Sequence, residues 1–512
     1  MLRHLLQAAG NNRVGITERI RTFEKLSALY IYIDAESFFM TTDKVSTVSQ
    51  GKIDMATMPL RWAHIRVLII ASLGQVIGQG LATLVGVVIP MVQIVIHPEL
   101  SAGMQGILGC TALIGRTLGA LVFGKLSDRY GYLLFFRLCP ILMIVSSLTA
   151  YFWHPIPVLL VCLFLMGFSV GGEYSLDPDY ISEIMPDRWK LFMVGVAKAS
   201  ASVGSVIVAA LCFWMISTWD SAIPWPKLLF IMTGMAGFIL LLRLRFAESP
   251  GWLMARGQTA KAEKAVQYFL GKNVEMPVPS TETTPAETDT TAKKQSGSFF
   301  SRNLKKIIFS GVPWACEGLG VYGIGIFLPI LIMALGIDYL PANAPRIEHI
   351  VNSVEITIWL SIIMLVGFVI GLLLLKKLYH VKMQAWGFFL CSVGLVILLL
   401  AYRLHWATWV AIAGFMIFEL FLNAGPHLIT FILPTQIYPV ADRGTGVGLS
   451  AAIGKLGAVA GAFFIPVLLK WGGSTLVLIV TIAVMVTGGI ITAWLGRQVL
   501  PPKPVKANRW RL

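Results

Sequence analysis

Long apolar stretches constrain this chain more than any other feature of its sequence. Each is long enough to cross a bilayer core of about 30 Å as a helix. Only helices and closed barrels satisfy every backbone polar group in lipid, and barrel strands would be about ten residues long and alternate in polarity. The predicted fold class is therefore an all-α membrane protein with twelve transmembrane helices. The twelve stretches lie near residues 66–94, 102–123, 132–152, 157–181, 190–216, 227–246, 305–335, 352–375, 383–402, 406–433, 445–469 and 474–498.

Composition supports the membrane class. The 512 residues are 56% hydrophobic and 13% charged, whereas soluble domains carry about a quarter charged residues. The net charge of +15 gathers in alternate loops and in both termini, so it reads as an orientation signal that places the termini and the central loop in the cytoplasm. We therefore expect no nucleic-acid partner.

Several functional classes lack a motif in this chain. The six cysteines all lie in apolar stretches, without metal-ligand spacing or a disulfide framework. No phosphate-binding loop of the GxxxxGK[ST] type and no cleavable signal peptide are apparent. We expect no metal, no cofactor and no enzymatic activity.

The chain divides around its central loop. We predict a cytoplasmic arm at 1–60, a six-helix half at 61–246, a cytoplasmic loop at 247–304, a second six-helix half at 305–498 and a cytoplasmic tail at 499–512. The loop begins with a predicted surface helix, and its Thr-, Glu- and Pro-rich middle has the composition of a disordered segment. Translation starting at Met55 or Met58 is the alternative to a genuine arm.

Two pairs of segments indicate internal symmetry. SEIMPDR (182–188) corresponds to TQIYPVADR (435–443), and GQGLATLVGVVIP (78–90) corresponds to EGLGVYGIGIFLP (317–329). Two pseudo-symmetric halves predict a transporter that rocks around a midplane site between them. Lys455 lies inside the eleventh stretch, where a lysine costs a few kcal/mol unless it faces the protein interior, water or a partner. It therefore indicates contact with an anion or a titrating carboxylate.

The loop after the second stretch, GKLSDRYG (124–131), resembles the signature loop of the major facilitator superfamily. ESPGWL (248–253) resembles a motif of its sugar-porter-like branch. The resemblance implies the major facilitator fold. It also implies that Gly124, Asp128, Arg129 and Gly131 form a conformational latch rather than a substrate site.

A narrower resemblance is to the phosphate:proton symporters of that superfamily. It rests on GGEYSLDPDYISE (171–183), GPHLITFILPTQIYP (425–439), GLSAAIGKLGA (448–458) and the spacing of Trp and Tyr-Gly in the seventh stretch. The resemblance implies that Glu173 carries the proton. It also implies that Tyr174, Trp314, Tyr322 and Lys455 contact the anion.

Departures from that pattern open alternatives. The first stretch lacks the family's acids, Gly318 stands at the acid position of the seventh stretch with Glu317 one residue earlier, and His427 replaces an asparagine. We therefore count Glu317 as a second proton-coupling candidate and His427 as a substrate-binding candidate. A further set of residues is interpreted as interior ion partners. In this interpretation Lys198 or Arg116 would form an ion pair with Glu173, and Glu419 would form one with Lys455. This set consists of Arg116, Asp177, Asp179, Lys198 and Glu419.

The favoured function is secondary active transport of a small anion, with inorganic phosphate as the first guess, by proton-coupled alternating access. The alternative within this class is symport or exchange of an organic acid, an organophosphate or a zwitterionic metabolite. A nutrient-sensing membrane receptor is the alternative from another class. We expect a monomer in the cell (inner) membrane, with the small-molecule anion, protons and the lipid bilayer as its partners.

Overall fold

The computed structural model describes residues 53–95, 100–218, 225–271, 274–275, 299–337, 340–341, 343–375, 377–438 and 443–500. Most of the predicted arm, the predicted disordered middle of the central loop and most of the tail lie outside these residues.

The described residues form twelve membrane-crossing segments, as predicted. Eleven helices are long and apolar enough to span a bilayer, and the last contains two spans. It breaks at Gly472 (φ −141°, ψ 18°) and Gly473 (φ 63°, ψ −169°), where the backbone is not helical. In chain order the helices are Trp62–Val95, Ala102–Tyr130, Tyr132–Phe152, Ile156–Ile184, Lys190–Thr218, Phe230–Arg243 after a 3-10 turn at Trp225–Leu229, Phe299–Gly318 with Leu319–Ile324 and Leu328–Ala334, Arg346–Leu375, His380–Arg403, Thr408–Ala424 with Pro426–Ile437, and Arg443–Val499.

Two helices of the second half are irregular near the membrane centre. The seventh span widens into a π-helical segment at Leu319–Ile324. The tenth span breaks at Gly425 (φ −122°, ψ −91°) and restarts at Pro426, because proline lacks the N–H that a continuous helix needs. π-segments and discontinuous helices often mark functional sites in transporters.

The two halves pack closely on the side away from the basic loops. Span two meets span eleven there without room for a side chain, since Gly106 lies directly against the Phe463 carbonyl. Span one meets span seven in the same manner, where Gly86 lies against the Ile326 carbonyl. These contacts close the interface on that face of the membrane.

A small layer of short elements caps the first half on the side of the central loop. The predicted surface helix at the start of the loop consists of two helices, Pro250–Ala255 and Thr259–Leu270. Strand Ile53–Asp54 pairs in parallel with strand Val274–Glu275. Met55 and Met58, the candidate start positions, are buried in the same apolar cluster as the second of these helices.

Candidate functional site

Three cations from three spans converge on the ring of Tyr174. Arg116 comes from the second span, Lys198 from the fifth and Lys455 from the eleventh. The Arg116 Cζ atom lies 4.6 Å from the ring centroid, and the Nζ atoms of Lys198 and Lys455 lie 5.6 and 4.0 Å from it. All three lie within cation–π range of about 6 Å. We call Arg116, Lys198 and Lys455 the cation cluster.

The cation cluster lacks a close counter-charge. Among the described residues, no carboxylate oxygen lies within 4.0 Å of its nitrogen atoms. Arg116 and Lys198 are only 5% and 6% exposed, and no described residue forms a hydrogen bond with the Arg116 Nε atom. Burying charge without a partner is costly. The cluster is therefore built to receive a negative charge.

Hydrogen-bond donors border the cluster on the seventh span. Arg116 Nη1 donates to the Tyr322 hydroxyl at 2.8 Å, which leaves the proton of that hydroxyl free for another acceptor. Trp314 reaches the same region because Gly454 leaves space for its ring, and a Cβ on Gly454 would lie 2.6 Å from Trp314 Cγ. The structure thus brings together Tyr174, Trp314, Tyr322 and Lys455.

Phe431, which the sequence pattern does not single out, bridges the halves. Its ring packs edge-on against Tyr174 at 6.0 Å between centroids and against Trp314 at 6.4 Å. Phe431 lies one helical turn after His427, toward the C-terminal end of the tenth span. The three rings therefore lie between the cation cluster and the C-terminal end of the tenth span.

Glu317 faces the tenth span rather than the eleventh. Gly318 packs on the eleventh, where a Cβ would lie 2.7 Å from the Gly454 carbonyl oxygen. One residue is about 100° around a helix, and this rotation turns Glu317 toward His427, with 3.6 Å between Oε1 and Nε2. Glu317 also interacts electrostatically with Lys198, Lys455 and Arg116. It is therefore the acid next to the cation cluster.

His427 continues a polar chain along the tenth span. Its Nδ1 lies 2.8 Å from Asn423 Oδ1, and Asn423 Nδ2 donates to Glu419 Oε2 at 3.1 Å. Since Asn423 Oδ1 can only accept, Nδ1 carries the hydrogen. Nε2, which forms no hydrogen bond within the described part of the chain, therefore faces Glu317 with its lone pair or with a second proton. Glu317 and His427 are placed to hold one proton between them.

A second charged cluster lies wholly inside the first half. Arg243 Nη1 lies 2.5 Å from Glu173 Oε2, and Nη2 lies 3.4 Å from Asp177 Oδ1. Gln75 Nε2 donates to Asp177 Oδ2 at 3.3 Å. Glu173, Asp177 and Arg243 are 2%, 0% and 0% exposed. We call these three residues the acid–arginine cluster. Two carboxyls share one guanidinium, so one proton would neutralise the group.

The predicted partner of Glu173 was therefore wrong. Neither Lys198 nor Arg116 pairs with it among the described residues; Arg243 does. The reason is the helix period, since adjacent residues point about 100° apart. Tyr174 faces the cation cluster, while Glu173 faces the interior of its own half. The sequence pattern does not single out Arg243, because it stands beside Arg245 at the basic end of the sixth span.

Two further predicted ion partners also differ from expectation. Asp179 is exposed rather than interior. Glu419 does not approach Lys455 within 4.0 Å in the described part of the chain; it lines a polar cavity of about 30 Å³ between the halves. The polar side chains of that cavity are Gln79, Thr83, Ser205, Thr357, Ser361, Glu419 and Asn423.

The predicted latch is held mainly through its backbone. The Asp128 carbonyl accepts hydrogen bonds from Trp252 Nε1 at 3.0 Å and Arg256 Nη2 at 2.9 Å, and the Arg129 carbonyl accepts another from Arg256 at 2.9 Å. Asp128 and Arg129 do not form an ion pair with each other or with any other described residue. Both bonded side chains belong to the central loop, so the loop holds this turn in place.

The glycines of the latch differ in their roles. Gly131 adopts φ 92° and lies against the carboxylate of Glu248, which accepts the Tyr132 N–H at 2.8 Å. A side chain at Gly131 would be strained and would collide with Glu248. Gly124 is unconstrained by comparison, since a Cβ there would meet only Ser175 at 3.9 Å.

Comparison with known proteins agrees with this architecture. The family described as "Sugar (and other) transporter" matches residues 34–496. The chain is 26% identical over 449 residues to the inner membrane metabolite transport protein YgcS of Escherichia coli (strain K12), covering 88% of this chain and 94% of that protein. It is also 26% identical over 396 residues to the putative inorganic phosphate transporter 1-13 of Oryza sativa subsp. japonica, covering 72% and 76% of the two chains.

A solved structure gives the same fold. The inward open conformation of the xylose transporter XylE from E. coli superposes with a TM-score of 0.68 at 18% identity, covering 86% of this chain and 98% of that one. Family match and fold agree over nearly the whole described chain. The chain belongs to the sugar (and other) transporter family of the major facilitator superfamily, and it is a membrane transporter rather than an enzyme.

Proposed function

We propose that this transporter moves a small anion by proton-coupled alternating access, with inorganic phosphate as the first candidate. The observation that carries the proposal is the cation cluster, which is largely buried and has no carboxylate within ion-pair distance among the described residues. Three positive charges and Glu317, the single acid beside them among the described residues, leave a formal excess of 3 − 1 = 2 positive charges. An anion of charge −2 balances this excess.

The relatives support an anionic substrate. Two of the proteins with 26% identity to this chain are named as inorganic phosphate transporters, from Oryza sativa subsp. japonica and Petunia hybrida. The cell (inner) membrane is the proposed location, in keeping with the name of the E. coli relative. The basic loops support cytoplasmic termini. We propose a monomer as the working unit.

The acid–arginine cluster is the proposed proton site. A proton on Glu173 removes one of the two negative charges that hold Arg243, and so loosens the tie between the fourth and sixth spans. Tyr174, the next residue, lies against all three members of the cation cluster. The fourth span therefore joins proton binding on one face to anion binding on the other. Glu317 with His427 is the second proton candidate.

A second class of substrate has its own support. Because Glu317 and His427 lie beside the cations, the site also offers groups that pair with an ammonium or a hydroxyl. An organic acid, an organophosphate or a zwitterion would use both kinds of group. The phosphate and metabolite alternatives therefore differ in whether this acid–histidine pair contacts the substrate.

Transport by purified protein tests the proposal. Proteoliposomes with an inward proton gradient should accumulate radiolabelled inorganic phosphate, and a protonophore should abolish the accumulation. Protein-free liposomes are the control. Accumulation also argues against a receptor that only signals. If the protein neither accumulates phosphate nor binds any other anion that is tested, the proposed function is overturned.

A further inference from the structure

The cation cluster and the polar cavity are neighbours along two helices. On the seventh span, Val321 lines the cavity while Tyr322 binds Arg116. On the tenth span, Asn423 lines the cavity while its amide oxygen meets His427. A ligand bound at the cations therefore has a polar compartment directly beside it.

The cavity carries hydroxyl groups from both halves of the protein. Thr83 and Ser205 lie 2.8 Å apart between their hydroxyl oxygens, and Ser205 and Ser361 lie 2.9 Å apart. The chain of hydroxyls joins the first and fifth spans to the eighth. Such groups both donate and accept hydrogen bonds, so they can exchange partners with the hydroxyl groups of a ligand.

Two side chains that line the cavity have hydrogen-bonding groups without a partner in the described part of the chain. Gln79 is 7% exposed, and its side-chain amide has no hydrogen bond to any described residue. Glu419 is 8% exposed and uses only Oε2, which accepts from Asn423, so Oε1 is without a partner in the described chain. Buried polar groups are almost always hydrogen-bonded. Both side chains therefore point to a ligand.

The chemistry of these two groups favours an anion that also carries several hydroxyl groups over inorganic phosphate. The hydrogen phosphate dianion has only one hydroxyl hydrogen to donate, and an ionised Glu419 would repel its charge. A hydroxylated carbon chain instead donates hydroxyl hydrogens to Glu419 and accepts from Gln79. The cation cluster would hold its charged end.

Building on the proposed anion transport, we infer that the preferred substrate is an anion attached to a polyhydroxylated carbon chain, a sugar phosphate or a sugar acid. The anionic end lies at Arg116, Lys198 and Lys455, and the hydroxyl groups lie at Gln79, Ser361 and Glu419. The formal excess of two positive charges favours a phosphate ester over a carboxylate. The cavity of about 30 Å³ has to widen for such a chain, and rocking of the halves separates the helices that line it.

Binding to the purified full-length protein tests this inference, with four probes measured by calorimetry. They are inorganic phosphate, D-glucose 6-phosphate, D-gluconate and D-glucose. Two or more additional hydrogen bonds should make D-glucose 6-phosphate bind at least about tenfold more tightly than phosphate. D-gluconate should bind more weakly than the phosphate ester, and D-glucose should bind least. If D-gluconate binds more tightly than D-glucose 6-phosphate, the preferred substrate is a sugar acid rather than a sugar phosphate.

A matched pair of variants separates the hydroxyl contacts from the charge contacts. Gln79→Ala should weaken D-glucose 6-phosphate binding several-fold more than phosphate binding, and Ser361→Ala should do the same. Gln384→Ala is the control, because Gln384 is buried outside the cavity with its amide bonded to Thr492 at 3.0 Å; it should not change the ratio of the two affinities.

The outcomes also separate the inference from the proposed function. If phosphate binds as tightly as D-glucose 6-phosphate, or if Gln79→Ala weakens both equally, the hydroxylated substrate is wrong while anion transport stands. If D-glucose binds and no anion does, both the inference and the proposed function fail.

Discussion

Two groups of buried charges that both contact the fourth span differ in how their charges are paired. In the acid–arginine cluster, each carboxyl has a guanidinium nitrogen within 3.4 Å. In the cation cluster, no carboxylate of the described chain lies within 4.0 Å. A paired buried charge is compensated within the protein. An unpaired buried charge leaves a desolvation cost that a bound ligand of opposite charge would offset.

The fourth span separates the two groups by a single residue. Glu173 points into the first half and Tyr174 points to the interface. A rigid helix with a proton site on one face and an anion site on the other can couple the two without direct contact between proton and substrate. In the proposed mechanism, the paired charges therefore bind the proton and the unpaired charges bind the anion.

Removing Arg243 should have the largest effect on stability. Arg243→Leu leaves two buried carboxyls without their cation, and breaking a buried pair costs about 3–5 kcal/mol. Thermal unfolding in detergent should show a large fall in Tm. Adding Glu173→Gln should recover part of it. The control is Arg137→Leu, since Arg137 bonds only one backbone carbonyl at 3.0 Å among the described residues and is partly exposed. Equal falls for both arginines would contradict the pairing.

Removing Lys455 should have the next largest effect, on binding rather than on stability. A charged hydrogen bond is worth about 1.5–3 kcal/mol, so Lys455→Ala should weaken phosphate binding roughly tenfold to hundredfold. Calorimetric titration measures this directly. Lys190→Ala is the matched control, because Lys190 pairs with Asp187 at 2.7 Å on the surface. Unchanged phosphate affinity in Lys455→Ala would end its assigned role.

Two glutamines one helical turn apart provide the finest comparison. Gln75 donates to Asp177 at 3.3 Å, whereas the Gln79 amide has no partner among the described residues. Gln75→Leu should therefore lower the free energy of unfolding by about 1 kcal/mol, and Gln79→Leu by less. Paired Tm measurements without ligand test this. A larger loss for Gln79→Leu would mean that the cavity, too, is held together by internal bonds.

Much of the fold could be predicted from the sequence, because lipid imposes a simple rule. A helix in the bilayer needs about 20 apolar residues, so the twelve spans and their six-and-six arrangement follow from hydropathy. The break at Gly472 and Gly473 falls between the predicted stretches 445–469 and 474–498. Motif resemblance was sufficient to bring Tyr174, Trp314, Tyr322 and Lys455 to one place.

The pairing of charges could not be predicted, because it depends on helix rotation. One residue turns a side chain by about 100°, which separates Glu173 from Tyr174 and Glu317 from Gly318. Arg243 looked like a flanking charge, and Phe431 looked like any apolar residue of the tenth span. The polar side chains that line the cavity come from four spans, with at most two from each, and no single segment signals the cavity.

The most direct test of the separate proton and anion sites compares two transport modes of Glu173→Gln in proteoliposomes. We predict that this variant loses accumulation of radiolabelled phosphate under a proton gradient but retains phosphate exchange across the membrane at equal pH, while Lys455→Ala loses both. Accumulation that persists in Glu173→Gln would contradict the account, because the proton would then bind elsewhere, with Glu317 and His427 as the next candidates.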